Sequence, residues 1–258
     1  MSKYSVYSIL FFIILFLMLF IIQQGDLSYG YAAIPVVIYV ALLVLGSIRI
    51  GFNFYFQSLC REETESRKIA ITFDDGPHPA ITQEVIKLLE KHKVKATFFC
   101  IGNQINNNKA IIKLIDNKGH LIGNHTYTHN RWFDLFSAKK MTAEITAINK
   151  EIERATGKTP LLFRPPYGVT NPMLAKALKQ TGMIPVGWSL RSFDTIHSEE
   201  QVLKKLKRKT KGGDVVLFHD TDKKITGIVE NYIEWLKKND FKPVRVDELF
   251  NIKGYEKK

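Results

Sequence analysis

The hydrophobic pattern of the chain opens with two long runs that contain almost no polar residue. The first spans about residues 6–22 and the second about residues 31–48, with the eight-residue segment QQGDLSYG between them. A bilayer-spanning helix needs roughly 17–25 apolar residues, and neither run offers a polar face to water. The pattern therefore predicts two transmembrane helices. A cleaved signal peptide fits less well, because its apolar core is only about 7–15 residues long and no A-x-A cleavage site follows here.

Short apolar runs then alternate with helical patterns along the rest of the chain. The runs are rich in β-branched and aromatic residues and end in turn residues, as buried strands do. The segments between them repeat apolar residues at helical spacing, with Thr82 as a candidate N-cap. Strands are predicted at 68–74, 96–102, 121–123, 161–164, 184–188 and 215–219, and helices at 82–92, 110–117, 140–156 and from a capping box at Ser198. This alternation predicts an α/β fold with a parallel sheet or barrel. We expect a membrane anchor over 1–61 and one globular domain over 62–258.

Charge divides the chain at nearly the same place. Residues 1–56 hold three charged residues, Lys3, Asp26 and Arg49, which leaves 35 of the 37 Lys and Arg and 24 of the 25 Asp and Glu to the rest. Lys3 precedes the first helix and Arg49 follows the second, so the positive-inside rule places both ends in the cytoplasm. Because that rule weakens for long translocated domains, the side of the membrane stays open. The net charge of +12 comes without a nucleic-acid-binding motif, so nucleic acid is not an expected partner.

Unusual polar residues follow several of the predicted strands. The strand ends carry DDGP (74–77), NHTYTH (124–129), RPPYG (164–168), Trp188 and LFHD (217–220). In parallel α/β folds the carboxyl ends of strands gather on one side of the sheet, where chemistry takes place. Asp74 and Asp75 need a tight turn to face a common site, since neighbouring strand residues point to opposite faces. Each motif alone is common in turns or cores, and it is their joint occurrence in this order that indicates a site.

The residue types at these strand ends indicate metal-assisted hydrolysis of an acyl group. His125 and His129 are four residues apart and share one face if that stretch is helical. An aspartate with two histidines leaves coordination positions open, as in catalytic zinc sites, where a bound water has a pKa of about 7 and a carbonyl is polarised. The second carboxylate would take the proton of the water, and His219 would protonate the leaving group. Arg164 would hold a carboxylate by a forked hydrogen bond.

Taken together, the motifs resemble those of the NodB-homology polysaccharide deacetylases, carbohydrate esterase family 4, over roughly residues 66–250. The resemblance implies a distorted, incomplete (β/α) barrel, here preceded by the two transmembrane helices. It implies that the catalytic base is Asp74 and that Asp75, His125 and His129 hold a divalent metal. Zinc is the expected metal, with cobalt, nickel or manganese as alternatives.

The same resemblance assigns the remaining positions. Arg164 would orient the base, and Tyr167 would offer its backbone N–H to the oxyanion. Leu217 would line the pocket for the acetyl methyl group, and His219 would be the catalytic acid.

The fourth family motif departs from its common Asp-x-x-Asp-Trp form, since this chain has Arg191-Ser-Phe-Asp194-Thr195. Asp194 fits the aspartate that tunes the catalytic acid or steadies the arginine of the third motif. Arg191 stands in place of an acid and Thr195 in place of a tryptophan, so the wall of the groove and the substrate differ from that form. Trp188 offers an apolar face for a sugar ring or belongs to the core.

The sequence thus predicts a membrane-anchored, metal-dependent hydrolase that removes N-acetyl groups from the sugars of a polysaccharide, peptidoglycan or an oligosaccharide. One alternative is a deacylase of a lipid-linked sugar at the membrane face, and another is a non-catalytic glycan-binding subunit. The expected partners are an acetylated glycan and the lipid bilayer. Cys60 and Cys100 lie in different contexts and do not indicate a disulfide.

Overall fold

The structure is a computed structural model that describes residues 1–25, 27–63 and 66–256. Helices α1 (Lys3–Gln23) and α2 (Ala33–Ile48) pack against each other as a hairpin, and an α/β body follows. The strands of the body are β1 (Lys68–Asp74), β2 (Thr97–Cys100), β3 (Leu121–Asn124), β4 (Leu162–Phe163), β5 (Ile184–Pro185), β6 (Leu190–Arg191), β7 (Val215–His219) and β8 (Lys242–Val244). Its helices are α3 (Ile81–Lys91), α4 (Gly102–Asn107), α5 (Lys109–Asn117), α6 (Ala138–Thr156), α7 (Pro172–Thr181), α8 (Glu199–Lys209), α9 (Lys224–Lys238) and α10 (Val246–Leu249). Short 3-10 helices lie at Tyr29–Ala32, Ile50–Phe52, Phe133–Leu135 and Pro166–Gly168.

The strands of the body pair in parallel, in the order β5-β4-β3-β2-β1-β7-β6, and β8 pairs with the start of β1. This sheet with its helices is the distorted, incomplete (β/α) barrel that the sequence predicts. The central strand β1 shows how the fold creates a site. Its residues Ile69, Ile71 and Phe73 belong to the main hydrophobic core. By the two-residue alternation of a strand, Thr72 and Asp74 project from the opposite, interior face.

The hairpin is docked on the body at its open end. The backbone N–H of Tyr4 donates to the carbonyl of Phe54 at 2.9 Å. Thr170 donates through its backbone N–H to Ser47 O at 2.9 Å and through Oγ1 to Gly46 O at 2.8 Å. The end of α2 therefore contacts the body at Thr170, and the start of α1 contacts the segment that follows α2. By length and composition both helices could cross a membrane, and most of their side chains are exposed.

Most of the predicted elements are present, with shifted ends. The predicted strands at 161–164 and 184–188 shrink to the two-residue strands β4 and β5. Helices α4, α7, α9 and α10 and strands β6 and β8 lie outside the predicted elements. Such short strands depend on pairing with a neighbour, which local sequence does not encode. Helix α7 carries local signals that could have predicted it, since Asn171 caps it and Pro172 is its first residue.

Thr82 does not cap α3, contrary to prediction. The residue before the helix is Ala80, which gives no side-chain cap. His78 serves instead, because its Nδ1 atom accepts from the backbone N–H of Ile81 at 3.2 Å. Thr82 is fully buried, accepts from the N–H of His78 at 2.7 Å and donates to the carboxylate of Asp220. It thus links the first turn of α3 to the end of β7, next to the site.

Candidate active site

The carboxylates of Asp74 and Asp75 face one cavity because the backbone turns between them. Asp74 is the last residue of β1 and is 3% exposed. Asp75 has a positive φ of 72°, a left-handed conformation that re-aims its side chain. Its Oδ1 atom lies 3.4 Å from Nε2 of His125 and 3.4 Å from Nε2 of His129. The tight turn expected between the two carboxylates is therefore present.

His125 and His129 reach the cavity from a loop. Residues 125–129 follow β3 without helical structure, and Thr126 and His129 have positive φ angles of 64° and 47°. The side chain of Asn124 holds the turn, since its Oδ1 accepts from the N–H of Thr126 at 2.9 Å. The two imidazole rings nevertheless converge, with centroids 4.8 Å apart. The two histidines therefore do not share the face of a helix, as was considered from their spacing, and a loop brings their rings together instead.

The side chains of Asp75, His125 and His129 form a group that fits a divalent metal ion. The candidate ligand atoms, one from each residue, all lie within 4.8 Å of one another. Nδ1 of His125 lies 2.7 Å from the carbonyl oxygen of Arg164, so Nδ1–H donates there and Nε2 keeps its lone pair. Oδ1 of Asp75 is buried and has no hydrogen-bond partner among the described residues, as expected when the missing partner is a cation.

The electrostatics of Asp75 and His129 agree with metal binding, whereas at His125 the carboxylates of Asp74 and Asp75 outweigh burial and raise the pKa. Burial opposes the charge on Asp75, but the imidazole of His125, 3.4 Å away, together with those of His129 and His219, holds the pKa of that carboxyl well below its usual range. Burial and the charge of His125 lower the pKa of His129 to about 4. Asp75 is therefore a carboxylate and His129 a neutral imidazole at neutral pH, which are the forms that ligate metals. This donor set suits zinc and related first-row divalent ions.

Arg164 is fully buried and binds Asp74 through one nitrogen. Its Nη1 donates to Asp74 Oδ1 at 2.7 Å and to Thr72 Oγ1 at 2.8 Å. Its Nε and Nη2 donate to the carbonyl oxygens of Val186 and Gly187, at 3.3 Å and 2.8 Å. The prediction of a forked hydrogen bond from Arg164 to a carboxylate is therefore wrong, because its other N–H groups donate to backbone carbonyls after β5. The guanidinium still fixes one oxygen of Asp74.

His219, the last residue of β7, is paired with Asp194. Nδ1 of His219 lies 3.0 Å from Asp194 Oδ1, and the backbone N–H of His219 donates to Oδ2 at 2.8 Å. Ser192 also donates to Asp194 Oδ1. Burial works against the charged imidazole, but the hydrogen bond and charge of Asp194 outweigh it and raise the pKa of His219. Of the two roles considered for Asp194, the structure thus supports contact with the catalytic acid His219. Within the described residues Arg164 forms its ion pair with Asp74 and none with Asp194.

These side chains surround a cavity of about 190 Å³ that opens to solvent. The cavity is lined by Asp74, Asp75, His125, His129, Tyr167, Trp188, Arg191, Thr195, Leu217 and His219. Arg164 and Asp194 lie behind this lining and act through Asp74 and His219. Tyr167 is 56% exposed at the mouth, with its ring 5.0 Å from the ring of His129. The structure therefore brings all the predicted site residues together.

Supporting residues that sequence reasoning did not single out hold the Asp74–Asp75 turn. Thr72 and Asp74 accept hydrogen bonds from the same nitrogen of Arg164. Asp220 is buried and lies against Gly76. A Cβ added at Gly76 would come within 2.5 Å of Asp220 Oδ2, so only glycine fits there. Burial raises the pKa of Asp220 to about 7. The available signal was position, since Thr72 lies two residues before Asp74 and Asp220 directly follows His219.

Comparison with known proteins gives the same picture. The family model described as polysaccharide deacetylase matches residues 61–186. The chain is 37% identical over 191 residues to a peptidoglycan-N-acetylglucosamine deacetylase of Bacillus cereus, covering 72% of this chain and 89% of the relative. It is 29% identical over 191 residues to the peptidoglycan-N-acetylmuramic acid deacetylase PdaA of Bacillus subtilis, covering 72% of each chain. The crystal structure of the Bc1960 peptidoglycan N-acetylglucosamine deacetylase superposes with a TM-score of 0.71 at 28% identity, covering 76% of this chain and 94% of that one.

The family match runs from the segment before β1 to the end of β5, and the Bacillus cereus relative is matched over nearly its whole length. The likeness of fold extends over three quarters of the chain. The chain therefore belongs to the polysaccharide deacetylases, the NodB-homology hydrolases of carbohydrate esterase family 4, which hydrolyse the N-acetyl amides of sugars.

Proposed function

We propose that the protein is a metal-dependent deacetylase of N-acetylated sugars in a polysaccharide, peptidoglycan or an oligosaccharide. The observation that carries this proposal is the group of Asp75, His125 and His129 in the same cavity as Asp74 and His219. The relatives named above act on peptidoglycan sugars, which supports a glycan substrate. A complete set of ligands, base and acid speaks against the alternative of a non-catalytic glycan-binding subunit.

The roles follow from the contacts of each side chain. A divalent metal held by Asp75, His125 and His129, most simply zinc with cobalt, nickel or manganese as alternatives, would polarise the acetyl carbonyl. Asp74, oriented by Arg164, takes a proton from the attacking water. His219, whose Nδ1 is held by Asp194, gives a proton to the leaving amine. The reaction consumes one water and yields acetate and a free amino sugar.

The cavity walls complete the assignment. We assign the backbone N–H of Tyr167 to the developing oxyanion and Leu217 to the methyl group of the acetyl. Leu217 is 2% exposed and lines the cavity, which suits a small apolar group. Trp188 lines the same cavity and offers its face to a sugar ring.

Acetate release tests this function. The full chain in detergent, loaded with zinc, is expected to release acetate from N-acetylglucosamine oligomers. A chelator or Asp74→Asn should abolish the release, and zinc should restore activity only to the chelated wild type. Lys87→Gln, at an exposed position on α3, is the matched surface control. Full activity of Asp74→Asn or of the chelated protein would contradict the mechanism.

We further propose that residues 1–61 anchor the catalytic domain, residues 62–258, in a membrane as a two-helix hairpin. The span Tyr29–Ile48 has 20 residues, which gives about 30 Å of helix and matches the hydrocarbon thickness. Large apolar side chains such as Phe12, Phe16 and Val37 are 63%, 70% and 66% exposed and would otherwise face water. Activity of an alkaline phosphatase fused to the C-terminus would identify the side of the membrane on which the domain lies.

The docking of the hairpin favours a second candidate, deacylation of a lipid-linked sugar. Thr170 binds the last turn of α2 and follows Tyr167 of the cavity mouth by three residues. Three residues span at most about 11 Å, so the mouth lies close to the end of the membrane helix. In nanodiscs, this candidate predicts a higher kcat/KM for an N-acetylglucosaminyl lipid than for the soluble sugar oligomer. Equal values would remove the reason to prefer it.

A further inference from the structure

Arg191 occupies a wall of the catalytic cavity. It is the last residue of β6 and pairs in register with Leu217 of β7, two residues before His219. Its side chain lines the cavity together with that of Leu217. Its charge is therefore placed within the site, close to where the substrate must lie.

The guanidinium of Arg191 rests on aromatic rings, and no acid in the part of the chain that the structure describes forms an ion pair with it. Its central carbon lies 4.9 Å from the ring centre of Phe193 and 5.9 Å from that of Trp188. Its Nε atom is buried and has no hydrogen-bond partner among residues 1–25, 27–63 and 66–256. A buried charged donor without an acceptor is unfavourable, whereas aromatic faces hold a guanidinium in place without satisfying its N–H groups.

Two acids of the site are already engaged with other cations, and a third, Asp75, faces the two histidines of the metal group. Asp74 is 2.7 Å from Arg164, and Asp194 is 3.0 Å from His219. A second cation lies next to Arg191, since Lys205 of α8 donates to the carbonyl of Arg191 at 2.6 Å and lies over the ring of Phe193. This side of the cavity therefore attracts an anion that the protein itself does not supply.

We propose that Arg191 is an anion-binding subsite that selects N-acetylated sugars carrying a carboxylate or a phosphate group. The inference rests on the deacetylase function proposed above and names the class of substrate. A guanidinium presents N–H donors in a fork that matches both anions. A carboxylate would belong to an acidic sugar such as N-acetylmuramic acid, and a phosphate to a glycosyl phosphate. A neutral chitin-type oligomer offers hydroxyl and amide oxygens as acceptors but brings no negative charge to pair with the guanidinium.

Substrate preference in paired variants tests the subsite. The full-length, zinc-loaded protein is assayed on N-acetylglucosamine oligomers, on a disaccharide that contains N-acetylmuramic acid, and on N-acetylglucosamine 1-phosphate. We expect Arg191→Gln to lower the ratio of anionic to neutral kcat/KM by about 10- to 100-fold, as for loss of a charge-assisted hydrogen bond. Arg191→Lys should fall between, since it keeps the charge and loses the fork. Arg131→Gln, which removes an exposed charge outside the cavity lining, should leave the ratio as in the wild type.

Two further readouts separate an anion subsite from a structural effect. Rising ionic strength should reduce the anionic preference of the wild type but not that of Arg191→Gln. Binding of each anionic sugar to the chelator-treated protein, followed by NMR, should weaken in Arg191→Gln and not in Arg131→Gln. The anion whose preference and binding are lost identifies carboxylate or phosphate as the ligand.

The outcomes distinguish this inference from the function on which it rests. An unchanged substrate ratio and unchanged binding in folded Arg191→Gln would overturn the subsite, even if acetate is released. A wild type that prefers the neutral oligomer would overturn it as well. If no substrate releases acetate with zinc, cobalt, nickel or manganese, the proposed function fails, and the binding comparison still decides the role of Arg191.

Discussion

Replacing Arg164 by methionine should destabilise the body strongly, because within the described residues the buried carboxylate of Asp74 forms ion pairs only with Arg164 and His125. Arg164 is fully buried and Asp74 is 3% exposed. The substitution removes the 2.7 Å contact with Asp74 and the bonds to Thr72, Val186 and Gly187. Methionine fills similar volume, so the effect comes from lost polar partners and not from a cavity.

The expected size follows from the nature of the pair. Removing one partner of a buried ion pair costs about 3–5 kcal/mol, because the other charge stays buried without compensation. For a domain of this size, 1 kcal/mol shifts the melting temperature by about 2–4 °C. We therefore expect Arg164→Met to lower the melting temperature by roughly 6–20 °C.

A double-mutant cycle checks the cause. Melting temperatures of the wild type, Arg164→Met, Asp74→Asn and the double variant are measured in detergent by circular dichroism. If the unpaired carboxylate is responsible, Asp74→Asn should cost less stability in the Arg164→Met background than in the wild type, so the double variant should lose less than the sum of the two single losses. Additive losses, or a loss below about 1 kcal/mol for Arg164→Met, would refute the reasoning.

Three other outcomes follow from the site. Burial lowers the pKa of His219, but Asp194 outweighs this effect and raises it. Because a catalytic acid must be protonated, Asp194→Asn should move the basic limb of the kcat/KM profile to lower pH. An unmoved limb would exclude this coupling between Asp194 and His219. Zinc at 100 times its Kd should stabilise the wild type by about 2.7 kcal/mol and His129→Gln far less, measured as melting shifts with magnesium as control; equal shifts would place the metal elsewhere. Gly76→Ala puts a Cβ within 2.5 Å of Asp220 and should abolish acetate release by displacing the turn, and a fully active variant would show that the turn tolerates it.

Local sequence patterns predicted many of the helices and strands. The capping box at Ser198 and the glycine that ends α6 at Gly157 are both present, because they depend only on residues within one helical turn. The two N-terminal helices and the central strand β1 were also predicted from the apolar pattern of the sequence. The two-residue strands β4, β5 and β6 were not, since their structure exists only through pairing with neighbours across the sheet.

The sequence by itself determined which residue types stand at the ends of the parallel strands, and those types already indicate metal, base and acid. Only the tertiary structure decided how they meet. It brings His125 and His129 together through a loop with two residues of positive φ. It pairs Nε and Nη2 of Arg164 with backbone carbonyls, and it places Asp194 within hydrogen-bond distance of His219. It also places Arg191 in the cavity with a buried Nε atom that has no hydrogen-bond partner among the described residues. The physical reason is that a motif specifies chemical groups within a few residues, whereas each partner is set by sheet register and loop geometry between segments far apart in the chain.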